Sequence, residues 1–218
     1  MAVHINTLNG GDITITTGGS TPSEPTAPNG KVLYKTSANG EWLQSDANIT
    51  DGTFNGFTEK NSAVAVIIPS KDASGNDITG INSSAFSNCR GLTNVTIGNG
   101  VMSIGSQAFK NCTNLTNVTL SDSMDSIGYQ AFYGCSGLTS VTIPDSVGSI
   151  GASAFRGCIG LTSVTIPDSV MSIGDGAFYG CSRLANVTIT ENGENAETVK
   201  QLMIDAGVDE NITWNMPS

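Results

Sequence analysis

The sequence predicts an α/β solenoid of about five to six coils of 23 residues, with a parallel β-sheet on one face, short helical turns on the other and a cap at each end. The first observation behind this is that the five cysteines recur every 23 residues, and that five phenylalanines keep the same step. The second is that residues 138–160 and residues 161–183 agree at 17 of 23 positions. A repeat of about 20 to 50 residues is typical of solenoids, whose coils bury apolar side chains against neighbouring coils.

The strand of each coil is predicted from stretches such as LTSVTI. By the two-residue period of a strand, Val141 and Ile143 point inward. Ser140 and Thr142 point outward for the same reason. Pro144 ends the strand because it has no N–H to donate to a neighbouring strand. We expect the strands of successive coils to form one parallel sheet of about five members, spaced ~4.8 Å apart.

The rest of the coil is predicted as two turns around a short helical segment. One column of small residues is expected to turn the chain with positive φ: Asn82, Gly105, Gly128, Gly151 and Gly174. The segment SAFRG is then one helical turn that places Ala154 and Phe155 inward. It ends at a second column in which a left-handed conformation is expected: Asn88, Asn111, Gly134, Gly157 and Gly180.

The repeated pattern Leu-x-x-Val-x-Ile-Pro-Asp-Ser-Val-x-x-Ile-Gly-x-x-Ala-Phe-x-x-Cys resembles the BspA-like, or treponemal-type, leucine-rich repeat. The resemblance covers about residues 64 to 190. It implies a right-handed, curved leucine-rich-repeat array with the sheet on its concave face. Members of the family are typically bacterial cell-surface adhesins that bind host proteins or other bacteria, and the resemblance implies no catalytic residues.

Composition divides the chain into five parts. Residues 64–190 hold the repeats, between an N-terminal β cap at 31–63 and a C-terminal helix-strand cap at 191–218. Residues 18–30 carry three of the seven prolines and are predicted as a linker. Residues 1–17 alternate in polarity and are interpreted as a short β peptide for attachment or oligomerisation, with a loose tail or an expression remnant as the alternative.

Both caps have local signals. Residues 31–45 indicate a hairpin, which with Phe54 and Phe57 covers the first coil. Val199 and Leu202 belong to a helical pattern that precedes one more strand in NITW.

The charge balance argues against two classes of partner. Asp and Glu outnumber Lys and Arg by 19 to 9, for a net charge of −10, so neither nucleic acid nor an anionic membrane surface is expected. No window approaches the ~18 apolar residues of a membrane span, and residues 1–20 lack the basic start and apolar core of a secretory signal. We therefore expect no membrane insertion, and we find no signal peptide in this sequence.

The sequence favours no enzymatic chemistry, cofactor or metal. His4 is the only histidine, and it lies outside the repeats, so a nucleophile there lacks an imidazole base. The evenly spaced cysteines lack the paired spacing of zinc sites and are interpreted as buried free thiols. A column of carboxylates follows the strands and is explained by turn chemistry, with calcium binding as the alternative: Asp122, Asp145 and Asp168.

Two columns of side chains are candidate binding surfaces. The outward strand positions carry short hydroxyl and amide groups: Asn94, Thr96, Asn117, Thr119, Ser140, Thr142, Ser163, Thr165, Asn186 and Thr188. Three interpretations are open, namely that Thr simply suits an exposed strand, that the face recognises a protein or glycan, or that its hydroxyl rows bind ice. The opposite side carries a rival strip of residue types enriched at binding hot spots: Lys110, Tyr133, Arg156 and Tyr179.

The expected function is non-enzymatic recognition or display through the solenoid. One setting is a phage virion, in which the chain is a fibre or decoration protein and residues 1–17 dock onto neighbouring virion proteins or form a homo-oligomer. The other setting is the bacterial cell surface, in which the chain is an adhesin whose export signal is missing from this sequence. Residues 1–17 favour the virion, because they look like a docking peptide rather than a trimmed signal.

Overall fold

A computed structural model of the protein describes residues 2–5, 13–16, 25–190 and 195–217. These residues form a parallel β-solenoid of about seven turns with little helix, which confirms the predicted fold class. Each coil contributes two strands rather than one, so the solenoid has two strand faces where the sequence indicated a single sheet.

The elements are described in four sets according to their place along the chain and in the coil. Near the N-terminus lie β1 (Ala2–Ile5), β2 (Ile13–Thr16), β3 (Lys31–Lys35), β4 (Leu43–Asp46), β5 (Asn48–Thr50) and β6 (Thr53–Gly56). The longer strands of the coils are β7 (Ala65–Ile68), β9 (Asn94–Ile97), β11 (Asn117–Thr119), β13 (Ser140–Thr142), β15 (Ser163–Pro167) and β17 (Asn186–Thr190). The shorter ones are β8 (Gly80–Ile81), β10 (Ser103–Ile104), β12 (Ser126–Ile127), β14 (Ser149–Ile150) and β16 (Ser172–Ile173). The C-terminal elements are helix α1 (Ala196–Asp205) and β18 (Thr213–Asn215).

The core is a set of ladders in which each residue meets its own counterpart one coil away. The short strands β8 to β16 pair in parallel, so that Ile127 lies between Ile104 and Ile150. The five repeated phenylalanines stack with ring centroids 5.1 to 5.2 Å apart. All five cysteines are buried and unpaired with one another. Stacking of identical side chains fixes the register, since a shift by one residue would turn the apolar side chains outward.

The short helical turns expected on the opposite face do not form helices. Phe109 N–H donates to Ala131 O of the next coil at 2.8 Å, and Phe132 N–H donates to Ala154 O at 2.8 Å. Between these bonds, Ala131 N–H closes a turn on Gly128 O at 3.2 Å. Alternate N–H groups therefore point along the solenoid instead of along a helix axis, which links the coils by hydrogen bonds on this face too.

One of the two columns of turn residues was predicted with the correct conformation. The second column has the expected left-handed conformation, with φ from 58° at Asn111 to 78° at Gly180. The column containing Gly128 does not: its glycines are required by close approach, because a Cβ on Gly128 would lie 2.5 Å from Ile104 O. Positive φ occurs instead two residues later, at Ser84, Gln107, Gln130, Ser153 and Gly176.

The sheet of longer strands is not continuous, in contrast to the single sheet predicted. It divides into β4-β3-β7-β9-β11 and β13-β15-β17-β18, and no pairing joins β11 to β13. Thr162 N–H donates to Thr139 O at 2.8 Å, but Thr139 makes no equivalent bond to Thr116. The coil at this break carries Leu120 and Met124 where other coils carry Ile and Val, so it lacks the Cβ branching that favours an extended strand.

The first coil is covered by an N-terminal hairpin. Strand β3 pairs antiparallel with both β4 and β7, as the hairpin over 31–45 predicts. Phe54 is fully buried and stacks on Phe86 at 5.7 Å. Part of the expected linker is also packed, since Ala27 is buried and Gly30 N–H donates to Lys71 O at 2.7 Å.

The last coil is covered by α1 and β18. Val199 and Met203 of α1 are fully buried, and β18 extends the sheet in parallel beside β17. The helix has 10 residues, and the described part of the chain contains no helix long and apolar enough to cross a membrane.

Candidate functional site

The outward strand positions share one surface, named here the outer strand face: Asn94, Thr96, Asn117, Thr119, Ser140, Thr142, Ser163, Thr165, Asn186 and Thr188. All are exposed or half-buried, because the Val and Ile residues between them fill the core. Strand pairing sets their spacing, with Thr165 beside Thr142 on one side and Thr188 on the other. The surface therefore offers neutral donors and acceptors at regular intervals.

Asparagine side chains form a hydrogen-bonded ladder along part of this face. Asn117 Nδ2 donates to Asn94 Oδ1 at 2.9 Å and to Thr116 Oγ1 at 3.1 Å. Asn94 Nδ2 in turn donates to Thr93 Oγ1 at 2.8 Å. The ladder stops at Asn117, since Ser140 replaces asparagine in the next coil. The amide group of Asn117 is thus held in place with both of its N–H groups engaged.

A cleft of about 360 Å³ opens where β11 and β13 separate. Its rim carries Asn117, Thr119, Ser140 and Thr142, which are all exposed, and Asp122 stands at one end. The apolar part of its lining is formed by Val118, Leu120 and Pro144. Val118 is half-buried, whereas its counterparts in the same column are fully buried. The cleft therefore brings four predicted site residues together with the carboxylate of Asp122. In the sequence, that aspartate was interpreted as a turn residue.

The outer strand face does not extend over the first coil. There the outward positions are Ala65 and Ile67, which are buried beneath Trp42 in a small apolar cluster. Lys35 Nζ lies 4.8 Å from the ring centroid of Trp42 and covers it from solvent. The apolar residue types at 65 and 67 were the available sequence signal for this boundary.

The rival strip forms two cation–π pairs. Lys110 Nζ lies 5.2 Å from the ring centroid of Tyr133, and the guanidinium of Arg156 lies 4.8 Å from that of Tyr179. Tyr179 remains 59% exposed. Such pairs stabilise exposed sites by about 0.5–1 kcal/mol, so the strip has a structural role that is independent of any partner.

The cysteine thiols are hydrogen-bond donors within the core. Cys112 and Cys135 each donate to the carbonyl oxygen of a phenylalanine in the preceding coil at 3.1 Å. Burial raises the pKa of Cys181 to about 12, and the pKa of Cys158 is raised further by the same cause. Buried neutral thiols are poor nucleophiles and poor metal ligands, and among the residues described no group of three His, Cys, Asp or Glu side chains can hold a metal ion.

Comparison with known proteins identifies the family. Residues 73–199 match the BspA type leucine rich repeat region in six copies. The chain belongs to the BspA-type leucine-rich-repeat family. Proteins of this family are generally non-enzymatic recognition proteins. A comparison with curated proteins finds no match.

Solved structures of leucine-rich-repeat proteins are similar to this chain. A leucine-rich-repeat protein of Treponema pallidum is 32% identical with a TM-score of 0.61, over 66% of this chain and 68% of that one. A protein of Bacteroides ovatus is 32% identical with a TM-score of 0.56, over 66% of this chain and 45% of its own length. A leucine rich cell surface protein of Faecalibacterium prausnitzii is 28% identical with a TM-score of 0.57, over 83% of this chain and 42% of its own length. The matched regions thus span less than half the length of the latter two proteins.

Proposed function

We propose that this chain is a non-catalytic recognition module that binds a protein partner at a bacterial cell surface through the outer strand face. The observation that carries the proposal is that ten short polar side chains lie on an exposed strand face, at the spacing of paired strands on each side of the break, with no charged group among them. Such surfaces of solenoids suit extended contact with another macromolecule. The similar protein of F. prausnitzii is described as a cell surface protein, which supports this setting.

The chemistry of the coils supports binding rather than catalysis. The repeats contain no histidine, and the five thiols are buried, which raises the pKa of Cys89, Cys158 and Cys181. The repeats thus offer no imidazole base that could activate the exposed hydroxyls of the outer strand face for attack on a substrate.

A binding screen of the full chain against immobilised extracellular proteins and glycans tests this proposal and identifies the partner. Once a protein partner is found, Thr165→Arg with Thr188→Arg is expected to weaken its binding at least tenfold by steric and electrostatic obstruction of the face. The matched control is Tyr133→Ala with Tyr179→Ala on the rival strip, which is expected to bind normally. Loss of binding in the control alone would assign the site to the strip, and binding to glycans alone would overturn the proposed class of partner.

A virion fibre or decoration protein is the second candidate. One observation favours it: among the strands that the structure describes, β1 and β2 pair with each other alone, in a two-stranded sheet separate from those of the solenoid. So short a hairpin is not stable alone and suits docking or self-association. Deletion of residues 1–20 is then expected to abolish assembly into a larger particle or oligomer, and unchanged sedimentation of the shortened chain would exclude this role.

A further inference from the structure

The break between β11 and β13 places a cleft in the middle of the outer strand face. Its volume of about 360 Å³ falls within the range of small-ligand pockets, ~300–1,000 Å³. The two coils remain hydrogen-bonded behind it, since Phe132 N–H donates to Ala154 O at 2.8 Å and β12 pairs with β14. The cleft is therefore a local opening in one face of a continuous solenoid.

The width of the opening limits what can enter. A peptide strand inserted between β11 and β13 would need them about 9.6 Å apart, twice the ordinary strand spacing. Their Cα atoms approach within 8 Å. A side chain of a partner can enter this space, whereas a paired strand cannot.

The side chains of the cleft are acceptor-rich. Asn117 has committed its Nδ2 to Asn94 and Thr116, which leaves Oδ1 to accept. The hydroxyls of Thr119 and Thr142 make no hydrogen bond to any described residue, and a hydroxyl offers two lone pairs for one proton. Asp122 adds a carboxylate that has no ion-pair partner among the described residues. Among the residues that the structure describes, no Lys or Arg lines the cleft.

Because hydrogen-bond acceptors line the cleft, it favours a ligand group that carries several hydrogen-bond donors and a positive charge. A guanidinium presents five N–H donors in a plane and keeps its charge at all physiological pH values. Its flat apolar faces can lie against Val118 and Pro144, which line the same cleft. The net charge of −10 also favours the approach of a basic partner segment.

We infer that this cleft is a subsite for an arginine side chain of the protein partner, anchored by Asp122 and Asn117 Oδ1. The inference rests on the proposed function and names the partner chemistry at one point of the same face. Arginine is a frequent hot-spot residue of interfaces, where a single side chain fills a pocket.

The test uses a blocked peptide, acetyl-Gly-Ser-Arg-Ser-Gly-amide, and its citrulline analogue, which keeps the shape but not the charge. In amide NMR spectra of the full chain, the arginine peptide is expected to shift resonances of residues 117–122 and 140–144, and the citrulline peptide to shift none. Asp122→Asn should weaken the arginine peptide about tenfold. Asp145→Asn, at the same turn one coil away and outside the cleft, should leave its affinity unchanged.

Three results would overturn the subsite: no shifts at residues 117–122, equal loss in both variants, or equal binding of a lysine peptide. The two proposals fail separately. If a protein partner is lost with Thr165→Arg and Thr188→Arg but keeps its affinity with Asp122→Asn, the outer strand face binds and the arginine subsite is wrong. If the peptide binds the cleft while the face variants bind the partner normally, the cleft recognises arginine but the partner does not bind across Thr165 and Thr188, and the proposed binding face is wrong.

Discussion

The rings of Phe109 and Phe132 lie 5.1 Å apart at their centroids, with planes within 3° of parallel. Both are fully buried in the middle of a stack that runs from Phe86 to Phe178. A central member of this stack therefore contacts apolar atoms of its own coil and of two neighbours.

The first prediction concerns the loss of one ring. Phe132→Ala should lower the free energy of unfolding by about 3–5 kcal/mol, because it leaves a cavity between two rings that cannot close on each other. Urea unfolding followed by circular dichroism measures this. Tyr133→Ala, at the adjacent half-buried position, should cost less than about 1 kcal/mol. Similar losses in the two variants would show that the stack is not a major source of stability.

The second prediction separates two glycines. Gly128→Ala should destabilise the fold by about 1–3 kcal/mol, since its Cβ would lie 2.5 Å from Ile104 O and force the coils apart. Gly148→Ala should be neutral or should stabilise by about 0.4–1 kcal/mol, because a Cβ added there would meet no atom of the described residues within 4 Å. Thermal unfolding of both variants gives the comparison, and equal melting temperatures would refute the close approach.

The third prediction concerns alkaline pH. Burial raises the pKa of Cys89 to about 11, with a further increase from Cys112, and raises that of Cys181 to about 12. The unfolded thiols ionise near their ordinary value of 9.0. Their contribution to stability is therefore complete below pH ~9 and is lost as pH rises towards the folded-state pKa values.

Urea unfolding at pH 8 and at pH 10.5 measures this loss. Cys181→Ala should show a smaller decrease between the two pH values than the unsubstituted chain, because one titrating thiol is absent. An identical decrease would mean that Cys181 ionises equally well in the folded state.

The fourth prediction compares equivalent amides on either side of the break. Thr162 N–H donates to Thr139 O at 2.8 Å, and Ile143 N–H donates to Thr165 O at 2.8 Å. The corresponding amides at the break, those of Thr139 and Leu120, have no such acceptor in the adjacent coil. Hydrogen exchange should be faster at Thr139 than at Thr162, and equal protection would show that β11 and β13 pair in solution.

Restoring the usual residue types tests the cause of the break. Leu120→Ile with Met124→Val should slow exchange at Thr139, since β-branched residues favour extended strands. The same pair of changes should narrow the cleft and weaken the arginine peptide.

The strands and the core were predictable because their signals recur in every coil. Val141 meets Val164 and Thr142 meets Thr165 in the paired strands, so five aligned copies of one pattern define both the inward and the outward set. The outer strand face followed from the same period. Its exposure confirms where these side chains point, whereas their role in binding stays a prediction.

Other features depend on contacts that no local pattern encodes. The segment around Phe132 was predicted as a helical turn because its residue types suit a helix. In the structure, however, the N–H of Phe132 donates to Ala154 O in the next coil. The cleft was missed because Leu120 and Met124 keep the apolar character of their columns and change only the branching. That change was visible in the sequence, but its effect depends on how two coils fit together.

The coverage of the last coil by α1 and β18 has a consequence for behaviour in concentrated solution. Every interface between coils is made of like residues, so an uncovered coil at one end would match the uncovered coil of another molecule. Removal of α1 and β18 would leave β17 and Phe178 as an edge on which a second molecule could pack through the same edge, while the hairpin of β3 and β4 would still cover the other end. Helix α1 and strand β18 thereby keep two solenoids from associating through their last coils.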